Sequence, residues 1–199
     1  MTEQERMLRG EPYDPLDPAL VQARARARRL TRAYASLAYE QPDEAAACLR
    51  ELIPHAGARL FVEPPFFCDY GAHLRLGDDV YFNFNCVVLD VCPVTLGSRV
   101  LIGPAVQIYT ATHPLDPEAR ASGREFGRPV TIGDDVWVGG GTVICPGVTI
   151  GARTVIGAGS VVTRDLPAGV LAAGNPCRVI RTLAPGSGPL AGAEAPEPR

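Results

Sequence analysis

The chain has 199 residues, a formal net charge of -3, 46% hydrophobic and 21% charged residues, proportions that suit one globular domain with a sizeable core and exclude wholesale disorder. All 19 basic residues are arginine, which excludes a Schiff-base lysine or a lysine-dependent phosphate loop, and the near-balanced charge gives no surplus for nucleic acid. No apolar run reaches the roughly 18 residues of a membrane helix and residues 1–10 are too polar for a secretory signal, so a cytoplasmic protein with no membrane association is expected.

Residues 1–57 read as an N-terminal segment with two helices. Residues 18–39 are rich in Ala, Arg and Leu, all good helix formers. Residues 43–52 follow Pro42 with an acidic first turn, as a helix start should. Arg24, Arg26, Arg28, Arg29 and Arg32 lack interleaved aromatics and read as a solvated helix face rather than a nucleic-acid patch. The six cysteines show no CxxC pair or zinc-ribbon spacing, so they are expected to be reduced and mostly buried.

From about residue 58 to 183 the chain is periodic. The pattern passes through Leu76, Phe82 and Val88, slips by two residues, and resumes at Leu96, Ile102 and Ile108. Residues 113–129 interrupt it with His113-Pro114-Leu115-Asp116-Pro117 and a polar run, an excursion of a length that is usually functional. The clearest stretch follows. Ile132, Val138, Ile144, Ile150, Ile156 and Val162 open six successive hexads, and Val136, Thr142, Val148, Thr154, Ser160 and Leu166 take their fifth positions. A helix would bury residues at spacings of three and four, whereas this pattern points one aliphatic residue inward, turns at small residues, and repeats. Each hexad is a short strand plus a corner. Residues 184–199 are Ala, Pro, Gly and Ser with hardly any apolar bulk, and are expected to form a disordered tail.

The repeat resembles that of the hexapeptide-repeat acyltransferases, which implies an all-β core: a left-handed parallel β-helix with three hexads to a coil, preceded by the small α-helical segment. The handedness comes from the resemblance alone, since general chirality rules favour right-handed crossovers. Larger blocks narrow it: Val62-Glu63-Pro64-Pro65, Cys68-Asp69-Tyr70-Gly71, Asn83-Phe84-Asn85-Cys86, Leu89-Asp90-Val91-Cys92-Pro93 and Tyr109-Thr110-Ala111-Thr112-His113-Pro114-Leu115. Together with Gly10-Glu11-Pro12-Tyr13 they resemble the maltose and galactoside O-acetyltransferase group, with Asp69 and Val91 favouring the maltose branch.

Acetyl transfer to a sugar hydroxyl needs a base, because an alcohol is a poor nucleophile at neutral pH. His113, in Ala-Thr-His-Pro, matches the group's catalytic histidine. The resemblance also implies that Asn83 orients the acceptor and helps at the reacting centre, that Asp69 and Asp90 bind the sugar, and that Asp17 adds a contact. Acetyl-CoA, the implied co-substrate, would lie in a groove between two subunits of a homotrimer against Gly139, Gly140 and Ala158, with Thr163 and Arg164 nearby. Arg164, Arg178 and Arg181 would meet the nucleotide phosphates. A backbone N–H of Gly139 or Gly140 would serve a tetrahedral oxyanion. Trp137 is expected to wall the groove or pack in the core. No metal is expected: His55, placed in the linker before the coil, and His73, placed at a corner, cannot converge with His113 on zinc. The reaction expected is direct attack of a maltose- or glucose-like hydroxyl on the thioester. A chito-oligosaccharide or an antibiotic as acceptor, and a non-catalytic β-helical binding trimer, are the alternatives.

Overall fold

The computed structural model describes residues 1–184 and 186, so the expected tail at 184–199 falls outside the described residues apart from 184 and 186. The periodic region is a parallel β-helix with three faces. The first face has five strands starting with His55–Ala56, the second seven starting with Phe61–Val62, and the third five starting with Phe66–Cys68. The first strand already pairs with Arg75 and Leu76, so the coil begins at His55 and that histidine belongs to a strand rather than to a linker.

The inward column of each face carries the aliphatic positions that define the hexads. Ile102, Ile108, Ile132, Val138, Ile144 and Val162 are all buried. Fifth-position hydroxyl residues are buried too, and each is satisfied locally. Thr142 donates to the Gly139 carbonyl at 2.7 Å, Thr154 to Pro167 at 2.8 Å, and Ser160 to Gly157 at 2.5 Å. A small hydroxyl therefore fills a corner where a free polar group would be costly. The fourth position is left-handed at Asp135, Gly141, Gly147, Arg153 and Gly159, a conformation that glycine adopts without penalty. At the corner between the first and second faces it is held by charged residues, which pair from coil to coil: Arg59 with Asp79 and Arg99 with Asp135.

The two-residue slip has a place in the fold. Stacked partners are 20 residues apart early in the coil, as in Phe61 with Tyr81, and 18 later, as in Trp137 with Val155. The additional residues sit between Cys68 and Leu76 and between Val88 and Leu96, at the corner from the third face to the first. The long excursion leaves from this same corner. Its two arms pair antiparallel, Ala111 with Gly127 and Thr112 with Phe126.

Three helices precede the coil, one more than expected: α1 (Glu3–Leu8), α2 (Pro18–Leu37) and α3 (Pro42–Leu52). Helix α1 is marked by a capping box, in which Thr2 accepts from the Glu5 amide and Glu5 accepts from the Thr2 amide. A fourth helix, α4 (Pro117–Ala121), lies in the excursion, capped by Asp116. Helix α2 ends two residues short of the expected boundary. It buries Leu20, Ala27 and Tyr34 at spacings of seven, a narrow stripe; the expected solvated arginine face holds for the exposed Arg29 but not for Arg24, which is half-buried and bonded to Tyr70 and Pro15. Helix α3 buries Ala45, Leu49 and Leu52. A second, smaller core joins Met7, Tyr13 and Leu20 to Tyr70 and Val91, clamping the N-terminal segment onto the corner that bears the slip. The cysteines are free, four of them buried and Cys48 and Cys145 partly so.

Candidate active site

Two depressions carry the expected residues. The first, about 350 Å³, opens at the corner between the third and first faces and is lined by Asp69, Tyr70, His113 and Glu125 from the coil and by Tyr13, Arg24 and Arg28 from the N-terminal segment. Helix α2 thus walls the pocket. The Arg24 guanidinium donates to the Tyr70 hydroxyl at 2.8 Å and to the Pro15 carbonyl at 2.6 Å. Asp69 is half-buried, and desolvation raises its carboxyl above the ordinary range while the Arg24 and Arg28 charges oppose the rise. His113 is exposed at the mouth, with its Nε2 4.0 Å from Glu125 Oε1.

Two expected sugar contacts have other work. Asp90 has no exposed surface. Its Oδ1 accepts from the Tyr70 amide at 2.8 Å, its Oδ2 from the His73 amide at 3.3 Å, and its own carbonyl meets His73 Nδ1 at 2.6 Å. It braces the elongated corner beneath the pocket and does not face an acceptor. Asp17 caps α2, its Oδ1 accepting from Ala19 at 3.0 Å and Leu20 at 3.4 Å. The pocket wall there is made by Pro15 and Leu16 instead.

The second depression, about 440 Å³, runs along the corner between the second and third faces and includes Asn83, Gly103, Trp137, Gly139, Gly140 and Ala158. Stacking dictates part of this wall. A Cβ at Gly139 would lie 2.5 Å from the Ala158 nitrogen, and one at Gly103 2.6 Å from the Gly140 nitrogen. The Gly139 N–H donates to the Ile156 carbonyl at 2.8 Å, so it is spent within the coil and cannot serve an oxyanion. Gly140 is the remaining candidate. Trp137 is 43% exposed, a groove wall and not a core residue.

The cationic residues divide between the corners. Arg178 opens the last strand opposite Ala173, at the upper end of the second groove, and Arg181 pairs with Leu171 further along the same face. Both side chains are exposed. Thr163 and Arg164 are exposed after Val161–Val162 on the third face, on the His113 corner and away from Ala158. One chain therefore holds the expected residues as two separate sets: Asp69, His113, Thr163 and Arg164 on one corner, and Asn83, Gly140, Ala158 and Arg178 on another. Among the described residues no group of three or more His, Cys, Asp or Glu side chains could hold a metal ion. Nor is any described helix long and apolar enough to cross a membrane.

Glu125 and Tyr13 carried no expected role in the sequence, and Arg24 and Arg28, expected on a solvated helix face, line the pocket instead. Only the antiparallel pairing of the excursion arms sets Glu125 opposite His113, and only tertiary packing brings Tyr13 and Arg28 to the pocket.

Residues 6–57 match the model of the maltose acetyltransferase hexapeptide capping motif, and residues 129–164 that of the bacterial transferase hexapeptide repeat. A maltose O-acetyltransferase structure from Clostridium difficile superposes with a TM-score of 0.90 at 46% identity, covering 92% of this chain and 98% of that one. The galactoside O-acetyltransferase of Escherichia coli is 38% identical over 90% of this chain and 88% of its own length. The chain belongs to the maltose and galactoside O-acetyltransferase family. A further member of the hexapeptide-repeat acetyltransferases, from Vibrio cholerae, was solved with acetyl-coenzyme A and superposes with a TM-score of 0.86 at 43% identity, covering 92% of this chain and all of that one. Membership makes this protein an acetyltransferase.

Proposed function

We propose that this O-acetyltransferase moves acetyl from acetyl-CoA to a hydroxyl of a maltose- or glucose-like sugar, at sites shared between neighbouring copies in a homotrimer. The division of the site between two corners carries this reading. His113 and Asp69 lie on one corner of the triangle and Asn83 and Gly140 on the next, so two copies set corner to corner supply both sets. Asp69, with a half-buried carboxylate between guanidinium groups, suits a hydroxyl-rich ligand. The apolar groove beside Trp137 and Leu101 suits a long thin ligand, with glycine backbone available to its amides and Arg178 near its phosphate end.

In this mechanism the acceptor lies in the 350 Å³ pocket with one hydroxyl against the His113 imidazole. Histidine takes the proton as the sugar oxygen attacks the thioester carbonyl. The Gly140 amide faces the oxygen that gains charge, and CoA leaves as the thiol. His113→Ala should lower turnover by about 10² to 10⁴-fold while acetyl-CoA binding survives. A thiol-release assay with acetyl-CoA and a panel of sugars, paired with calorimetry of acetyl-CoA binding, reads both quantities. Near-normal turnover in the variant removes His113 from the role of base.

A further inference from the structure

We infer that Glu125, tethered by Tyr13, is a positioning residue for His113, and that the N-terminal segment thereby sets the catalytic geometry; the inference rests on the reading of His113 as the base. The two arms of the excursion pair Ala111 with Gly127 and Thr112 with Phe126, and one further step of that register puts His113 across from Glu125. Directly opposed residues of an antiparallel pair have neighbouring Cβ atoms, so their side chains interact. Here Glu125 Oε1 lies 4.0 Å from His113 Nε2.

Glu125 does not choose this position by itself. Its amide donates to the Tyr13 carbonyl at 3.2 Å, and its carbonyl accepts from the Tyr13 amide at 2.9 Å. Its second oxygen, Oε2, accepts from the Tyr13 hydroxyl at 2.8 Å. Tyr13 is fully buried, packed in the small core with Met7, Leu20, Tyr70 and Val91. Burial and the neighbouring carboxylate push its hydroxyl well above the ordinary range, so it remains a donor at any working pH. Residue 125 is thus held at three points by Tyr13, twice through its backbone and once through Oε2 of its carboxylate, which leaves Oε1 on the side of the imidazole. When His113 takes the acceptor's proton, the imidazolium forms beside a fixed negative charge, and that charge needs no reorganisation to stabilise it. The other charged or titratable groups lining this pocket are Asp69, Arg24, Arg28 and Tyr70, and none of them is joined to Glu125 by a hydrogen bond or ion pair among the described residues.

The test uses the full chain, acetyl-CoA, and whichever of maltose, glucose and chitotetraose is turned over fastest. Glu125→Gln keeps an acceptor for Tyr13 and the backbone bridge but removes the charge. Its kcat should fall about 10- to 100-fold, with KM for both substrates within about twofold. In a His113→Ala background the same change should cost nothing more, because its effect runs through the imidazole. Tyr13→Phe, which leaves Glu125 and the aromatic packing in place, should lower kcat by about 2- to 10-fold with the same split. A loss that appears in acceptor KM, or persists without His113, would make Glu125 an acceptor contact and overturn the inference. So would unchanged kcat in both variants of an enzyme that His113→Ala disables. If His113→Ala itself is active, or no sugar is turned over, the functional reading fails first.

Discussion

At the corner beneath the acceptor pocket, the Asp90 carboxylate is sealed from water and held by the amides of Tyr70 and His73. Burial, reinforced by the charge of Asp69 and opposed by those amides, raises its carboxyl to about 7. In the unfolded chain it would titrate at about 3.9. Between these values the folded protein binds the proton more tightly than the unfolded one. The stabilising contribution is therefore complete below about pH 3.9 and is lost as pH rises through about 7. The melting temperature of the wild type relative to Asp90→Asn should rise as the buffer goes from about pH 8 to about pH 5. A constant difference would mean that Asp90 stays ionised throughout. This residue also shows where motif reading stops. The block Leu89-Asp90-Val91-Cys92-Pro93 identifies a family, but whether an aspartate in it faces ligand or backbone depends on the turn around it. The place of His113 at the start of the long excursion was legible because the repeat breaks off there and restarts at Val130. Glu125 was not, because nothing in the sequence of the return arm announces its register.

Among the elements, the hexads were legible from Ile132 onward because one buried aliphatic per six residues has no other periodic explanation. The elongated corners showed as a loss of phase between Val88 and Leu96, and the fold shows that this loss marks the rim of the pocket. Helix α1 was missed although Thr2 and Glu5 stand at capping-box spacing, since six residues give too short a window for apolar periodicity. Glycines are ambiguous in such a repeat, serving either coil stacking or ligand approach, and geometry separates the two. A Cβ at Gly139 would strike backbone, 2.5 Å from the Ala158 nitrogen and 2.8 Å from the Ile156 oxygen. One at Gly140 meets Pro104, with its oxygen at 3.0 Å. Gly139→Ala should accordingly destabilise the protein by about 1–3 kcal/mol. Gly140→Ala should cost less than about 1 kcal/mol yet weaken acetyl-CoA use, because Gly140 lines the groove proposed for the cofactor. Urea titration of both variants beside their acetyl-CoA kinetics checks the pair. Equal stability losses would reduce Gly140 to a stacking residue as well.

For the molecule as a whole, the question is how residues on two corners of a rigid triangle serve one reaction. The coil cannot fold one corner onto another, since its interior is filled by the aliphatic columns of all three faces. On the proposed reading, in which Asn83 and His113 serve one reaction, motion within a chain is therefore excluded as the way they meet, and association remains. Cyclic association places the same two corners in contact at every interface. Light scattering should give a particle of about three times the 21.1 kDa chain. A stronger test separates a shared site from mere association. His113→Ala and Asn83→Ala proteins, each expected to have lost nearly all activity, are unfolded together and refolded at equal concentration. In a randomly assembled trimer of mixed composition, only one of the three interfaces joins an intact His113 to an intact Asn83. Counting the unmixed trimers as dead, about a quarter of wild-type activity should return. Sites contained within single chains would return none, because every chain carries one lesion, and a trimer would then serve stability alone.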